Sequence, residues 1–175
     1  MKKELTRRSF LKLAGVGTLA VAMSGSLTGC DVIDNLKDMD SVSAAIGDVK
    51  FMLSASAWVN NGSNGKENNV AYQPTCEIRN NSKKAVTYGG IGSNCEVIIT
   101  GVLTDKNGKE YPMTYAGENG SAPAGEKYEV KDFKLVAVGK GLYVEGCKVV
   151  TTFTYKGKKA VFTDYDGGDF TSKVE

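Results

Sequence analysis

The stretch Cys95-Glu96-Val97-Ile98-Ile99-Thr100-Gly101-Val102-Leu103-Thr104-Asp105-Lys106-Asn107-Gly108-Lys109-Glu110-Tyr111-Pro112-Met113-Thr114-Tyr115 reads as a strand, a tight turn and a returning strand. Val97, Ile99 and Leu103 share one face at the period of two that a half-buried strand requires. Asn107-Gly108 supplies the positive-φ backbone of a tight hairpin. Toward the N-terminus, residues 70–80 alternate in the same way. Val70, Tyr72, Cys76 and Ile78 lie on one face, with Gln73, Glu77 and Arg79 on the other. Pro74 interrupts this strand and predicts an edge or a bulge there.

The rest of the body continues the pattern. Residues 49–59 are apolar and small, and end in the loop Asn60-Asn61-Gly62-Ser63-Asn64-Gly65. A short strand at 85–88 leads into a loop with Gly89, Gly90 and Gly92. After a loop at 117–125, residues 127–138 alternate with a change of phase: Tyr128 and Val130, then Phe133, Leu135 and Ala137. Residues 143–155 form the longest predicted strand, aligning Cys147, Val149, Thr151 and Phe153. Lys156-Gly157-Lys158 turns the chain into residues 159–163, and residues 164–175 read as a polar end. The expected fold is therefore all-β and antiparallel, with about seven strands punctuated by turns, packed as a two-sheet sandwich. A small closed barrel is the alternative.

Three short motifs carry a resemblance. Glu77-Ile78-Arg79-Asn80-Asn81-Ser82, Thr104-Asp105-Lys106-Asn107-Gly108-Lys109-Glu110-Tyr111 and Pro123-Ala124-Gly125-Glu126-Lys127 resemble the second strand, central hairpin and a later strand start of immunoglobulin-like domains in bacterial lipoproteins. The resemblance covers roughly residues 48–164, implies an immunoglobulin-like β-sandwich, and carries over no catalytic residue.

The first thirty residues resemble export signals. Thr6-Arg7-Arg8-Ser9-Phe10-Leu11-Lys12 is similar to a twin-arginine leader, with Arg7, Arg8, Phe10 and Leu11 as its signal residues. The apolar run that follows, residues 13–23, is diluted by glycine and is shorter than the roughly 18 residues that span a bilayer. Leu27-Thr28-Gly29-Cys30 is similar to a lipobox. That resemblance implies a diacylglyceryl group on the Cys30 sulfur and cleavage before it, with the twin-arginine translocase and a lipoprotein signal peptidase as partners in transit. The expected organisation is a removed signal peptide at 1–29, a lipidated cysteine and acidic tether at 30–46, and the β-domain at 47–175. The expected location is the extracytoplasmic face of the cell membrane.

The chain holds 22 Lys and Arg against 20 Asp and Glu. Lys2, Lys3, Arg7, Arg8, Lys12 and Glu4 precede Cys30, which leaves 17 basic and 19 acidic residues and a net charge of −2. A slightly acidic, mixed surface argues against nucleic acid as a partner. No histidine is present, so Ser-His-Asp and Cys-His catalysis are excluded. No cofactor is expected. The expected function is non-enzymatic binding of an extracellular protein or glycan, through loops at 60–69, 89–94 and 116–125. The alternatives are an accessory subunit of an exported redox-enzyme complex and a hydrolase using carboxylates alone.

Besides Cys30, three cysteines remain. The immunoglobulin-like resemblance implies a Cys76–Cys147 disulfide across the core; Cys76–Cys95 is an alternative pairing, and buried free thiols are another. Asp164, Asp166 and Asp169 have oxygen-ligand spacing around Gly167-Gly168 and are a weak cation candidate; a plain acidic turn is the competing reading. Trp58, Tyr72, Tyr88, Tyr111, Tyr115, Tyr143 and Tyr155 supply aromatic faces, suited either to strand packing or to a sugar or peptide ligand. Asn61, Asn80 and Asn119 begin Asn-x-Ser triplets.

Overall fold

In the computed structural model, the structure describes residues 41–61 and 67–175. The leader, Cys30 and most of the tether lie outside the described residues. Among the described residues there are twelve strands: β1 (Val42–Ile46), β2 (Val49–Asn61), β3 (Glu67–Asn80), β4 (Val86–Gly89), β5 (Val97–Thr104), β6 (Glu110–Tyr115), β7 (Gly120–Ala122), β8 (Glu126–Val130), β9 (Leu135–Lys140), β10 (Lys148–Tyr155), β11 (Lys158–Tyr165) and β12 (Phe170–Val174). No described helix is long and apolar enough to cross a membrane.

The strands form one continuous sheet in the order β1-β2-β3-β9-β6-β5-β10-β11-β12, with β8 on β3, β4 on β5, and β7 on β4. All pairings are antiparallel except that of β4 with β5. The path curls until β1 lies beside β12, where the Ser172 hydroxyl donates to the carbonyl of Ser43 at 2.8 Å. The result is a nearly closed, barrel-like antiparallel sheet.

The all-β antiparallel expectation holds, but the strand number rises from about seven to twelve. The added strands are short or polar. Residues 42–46, assigned to the tether from sequence, form β1 and pair with β2 from Val42↔Leu53 to Ile46↔Val49. Residues 170–174, read as a polar tail, form β12 against β11. Both owe their strand character to a neighbour rather than to apolar alternation. Conversely, residues 143–147 precede β10 and are not strand.

The centre of β3 organises the wall. Pro74 has no N–H to offer a ladder, and both neighbours of β3 change phase beside it. In β2 the register shifts between Ser54↔Thr75 and Ala57↔Gln73, so two residues face Pro74 alone. Before this bulge Val49, Phe51 and Leu53 point inward; after it Ser56 and Trp58 do, while Ala57 and Val59 face solvent. On the other side, β8 ends at Val130↔Cys76 and β9 begins at Leu135↔Tyr72. The intervening Asp132 takes φ 52°, and Phe133 turns into the core. The expectation of a bulge at Pro74 is met, and the phase change at 130–133 is the break between two strands.

The interior is filled from all sides of the curl. Phe153 of β10 stacks on Phe51 of β2 at 4.8 Å, meets Phe162 of β11 edge-on at 5.5 Å, and tilts against Phe133 at 6.0 Å. These ring pairs each contribute roughly 0.5–1.5 kcal/mol beyond the area they bury. Beside them the Thr151 hydroxyl is buried with no hydrogen-bond partner among the described residues. An unpaired buried hydroxyl costs about 1–3 kcal/mol. Thr151→Val keeps the shape and removes that cost, so the variant is expected to be more stable by about 1 kcal/mol, read as a higher urea midpoint at unchanged slope.

Candidate functional site

Polar groups brought inside by the bulge form one cluster. The carboxyl of Asp164, 1% exposed on β11, accepts from the Ser56 hydroxyl at 2.6 Å and from the Tyr72 hydroxyl at 2.9 Å. Trp58 Nε1 donates to Ser56 Oγ at 3.2 Å, and its ring meets Tyr72 edge-on at 5.1 Å. Asp164 is therefore tied to β2 and β3 across the interior, and is not aimed at a solvent cleft.

The cation candidate does not assemble. Asp164 points inward, whereas Asp166 Oδ2 accepts from the backbone N–H of Gly146 at 3.1 Å. Asp169 closes the hairpin through its carbonyl, which accepts from Tyr165 N at 3.3 Å. Among the described residues no group of three or more Cys, Asp or Glu side chains is placed to hold a metal. The divergence arises because β11 ends at Tyr165: Asp164 is a strand residue facing the interior, whereas Asp166 and Asp169 lie in the turn that follows.

The disulfides implied from sequence are not formed; Cys76, Cys95 and Cys147 are all free thiols. Cys76 lies in mid-β3, paired with Leu53 and Val130, whereas Cys147 sits just before β10 at the end that carries the Asp105 turn. The two occupy different levels of the wall. Burial, and then neighbouring Glu77, holds the Cys76 thiol well above its ordinary range. Burial, followed by Asp105 and Asp166, pushes Cys147 up to about 11. Both stay protonated at neutral pH and behave as small apolar side chains.

Cys147 has a further role in shaping a loop. Its Sγ donates to the carbonyl of Tyr143 at 2.8 Å, and its N–H donates to the Val144 carbonyl at 3.0 Å. At the other side of the loop, buried Asn68 Nδ2 donates to the carbonyl of Leu142 at 3.1 Å, and the Leu142 side chain is itself buried. Gly141 and Gly146 bracket the segment with φ of 69° and 72°. The segment is thus clamped from inside, and it projects Tyr143, 61% exposed, into solvent.

Tyr143 overlooks a groove of about 320 Å³ lined also by Asn60, Asp105, Lys106, Asn107 and Glu145. Asp105 is occupied by its own turn: Oδ1 accepts from the N–H groups of Asn107 at 2.8 Å and Lys109 at 2.9 Å, and Oδ2 from the Tyr111 hydroxyl at 3.4 Å. The β5–β6 hairpin is therefore one wall of the groove, its turn held by an Asx-type set of hydrogen bonds.

Of the loops expected to make contacts, residues 62–66 lie outside the described residues. Asn60 belongs to the Asp105 end of the curl, while 89–94 and 116–125 meet near the other end of β5. There Asn119 Oδ1 accepts from Gly90 N at 3.4 Å, and the Tyr115 hydroxyl donates to the carbonyl of Glu118 at 3.0 Å. Of the aromatic residues, Tyr72, Tyr88, Tyr111, Tyr115 and Tyr155 are buried, Trp58 packs against the core, and Tyr143 alone of that set is open. Asn80 is fully buried: Nδ2 donates to the carbonyls of Lys84 and Ala122, and Oδ1 accepts from Ser82. Its triplet is structural. Alternation alone gives strand over residues 143–147 and so hides the groove; Gly141 and Gly146, on either side of the segment, are the local sign of a loop.

Two measurements check this geometry. Tyr72→Phe removes one of the hydrogen bonds to buried Asp164 and is expected to cost about 1–2 kcal/mol in denaturant titration, with a shifted emission of Trp58, the only tryptophan. In native alkylation of the three domain thiols, half-buried Cys95 is expected to label first, with Cys76 and Cys147 protected until the domain unfolds.

No protein-family model matches the sequence, and no curated protein matches it. Among solved structures, a calcium binding mutant of Bacteroides uniformis beta-glucuronidase 2 is similar at 12% identity and a TM-score of 0.39. The match covers 69% of this chain and spans only 12% of that chain. The yjhA protein from Bacillus subtilis is similar at 16% identity and a TM-score of 0.33, over 62% of this chain and 76% of that one. Both are likenesses of a β-rich domain, and neither assigns a family.

Proposed function

We propose that the chain is a lipid-anchored extracytoplasmic lipoprotein whose immunoglobulin-like module binds a ligand without transforming it. The observation that carries the binding reading is the groove under Tyr143, built on a clamped loop, with Glu145 in its lining and three nearby aspartates serving the frame. Asp105 and Asp166 are engaged with backbone N–H groups, and Asp164 is buried against Tyr72 and Ser56. Rigid presentation of an exposed aromatic lowers the ordering cost of binding.

The immunoglobulin-like reading is supported by strand order. The run β2-β3-β8 on one side and β6-β5-β10-β11 on the other corresponds to the A-B-E and C′-C-F-G orders of that sandwich. In this reading β1 and β12 are additions that close the curl, and the groove lies at the end carrying the A–B, C–C′ and E–F connections.

The location rests on Arg7-Arg8 with Phe10-Leu11, and on Leu27-Thr28-Gly29-Cys30. In cells, the unaltered protein is expected in the membrane fraction, labelled by radioactive palmitate. Cys30→Ser is expected to lose the label, keep its leader and leave the membrane on carbonate washing. Equal processing and equal retention of the Cys30→Ser chain would overturn the anchor.

A further inference from the structure

We propose that the groove beneath Tyr143 is a binding site for a neutral saccharide. This rests on the binding-module reading above and assigns it a ligand class. Three features of the groove point the same way. The first is the aromatic. Tyr143 is 61% exposed while buried groups hold the loop on either side of it: Asn68 holds the Leu142 carbonyl and Cys147 holds that of Tyr143. A tyrosine on a backbone held in that way offers an apolar face with a polar tip, the surface on which the C–H face of a pyranose stacks.

The second is the choice of polar groups. Asn60 and Asn107 bring carboxamides, each with donors and an acceptor, to the same groove as Tyr143. Such planar groups pair with vicinal hydroxyls, which also donate and accept. A peptide strand would need a run of free sheet edge or an apolar side-chain pocket, and apart from Asn60 near the end of β2 the groove is lined by turn and loop residues.

The third is charge. Lys106 and Glu145 place one cation and one carboxylate on the rim, and Asp105 is engaged by two N–H groups and a tyrosine hydroxyl. No excess of either sign is available for a phosphate or polyanionic ligand, which draws on clustered Arg and Lys. The volume of about 320 Å³ lies at the lower end for small-molecule sites, suited to a short segment of a chain.

The test uses the full-length protein purified from membranes in a detergent without a sugar headgroup. Cellotetraose, maltotetraose and the tetramer of N-acetylglucosamine are titrated by calorimetry and by saturation-transfer NMR, with polygalacturonate as the charged control. At least one neutral oligosaccharide is expected to bind, with saturation transferred from tyrosine protons. Tyr143→Ala is expected to weaken it roughly tenfold, with Tyr143→Phe close to the parent. Asn107→Ala is expected to weaken it roughly three- to tenfold. No binding by any of the three at millimolar ligand overturns the saccharide assignment, as does binding unaffected by Tyr143→Ala or preference for polygalacturonate. A peptide or protein that protects Tyr143 from nitration in place of sugar overturns this inference and leaves the binding-module reading standing. Loss of the Cys30 anchor affects the location alone, because the titration is made on detergent-solubilised protein.

Discussion

Everything in the wall of this protein is referred to Pro74. A proline in the middle of a long strand cannot join a ladder, so neither neighbour can pair straight through it. On one side β2 inserts an extra residue; on the other β8 stops at Val130 and β9 starts five residues later, at Leu135. β3 itself keeps an unbroken inward set from Val70 to Ile78, and its neighbours change phase around it. The bend these irregularities introduce allows one sheet to curl until its first and last strands meet.

That change of phase also decides what the interior contains. Had β2 kept its first register, Ala57 and Val59 would face inward, and Ser56 and Trp58 would face water. Instead Ser56 reaches Asp164 and Trp58 packs on Tyr72. A buried carboxyl is costly unless it is hydrogen-bonded, and here the bulge delivers one of its partners and β3 another. The aromatic cluster around Phe153 fills the remaining space. Apolar packing supplies the bulk of cohesion, and the Asp164 cluster pins β11 to the bulged strand.

The ends of the curl differ in chemistry. At one end Asn80 and the contacts between 89–94 and 116–125 consume their polar groups internally. At the other, buried Asn68 and Cys147 spend theirs on holding loop carbonyls, which leaves Tyr143 and the neighbouring amides facing outward. A thiol expected to form a covalent bridge serves instead as a hydrogen-bond donor and a space-filler, its titration displaced upward by burial.

Local sequence determined a good deal. Alternation in residues 70–80, 97–103 and 149–153 identified faces that are buried in the fold, because a period of two is a property of the extended chain itself. The Asp105–Gly108 turn and the anomaly at Pro74 were equally legible, since both follow from backbone chemistry. Even the break between β8 and β9 left a trace, as the shift from Val130 to Phe133. Pairing was not legible. β1 and β12 are strands because β2 and β11 lie beside them, and β4 and β7 because they pair with each other. The divergence of Asp164 from Asp166, the separation of Cys76 from Cys147, and the groove beneath Tyr143 depend on which strands adjoin and on where a bulge reverses a face. Those are long-range facts. Only the closed tertiary path decides them, because hydrogen bonds and burial between distant segments, rather than local preference, supply the free energy that selects them.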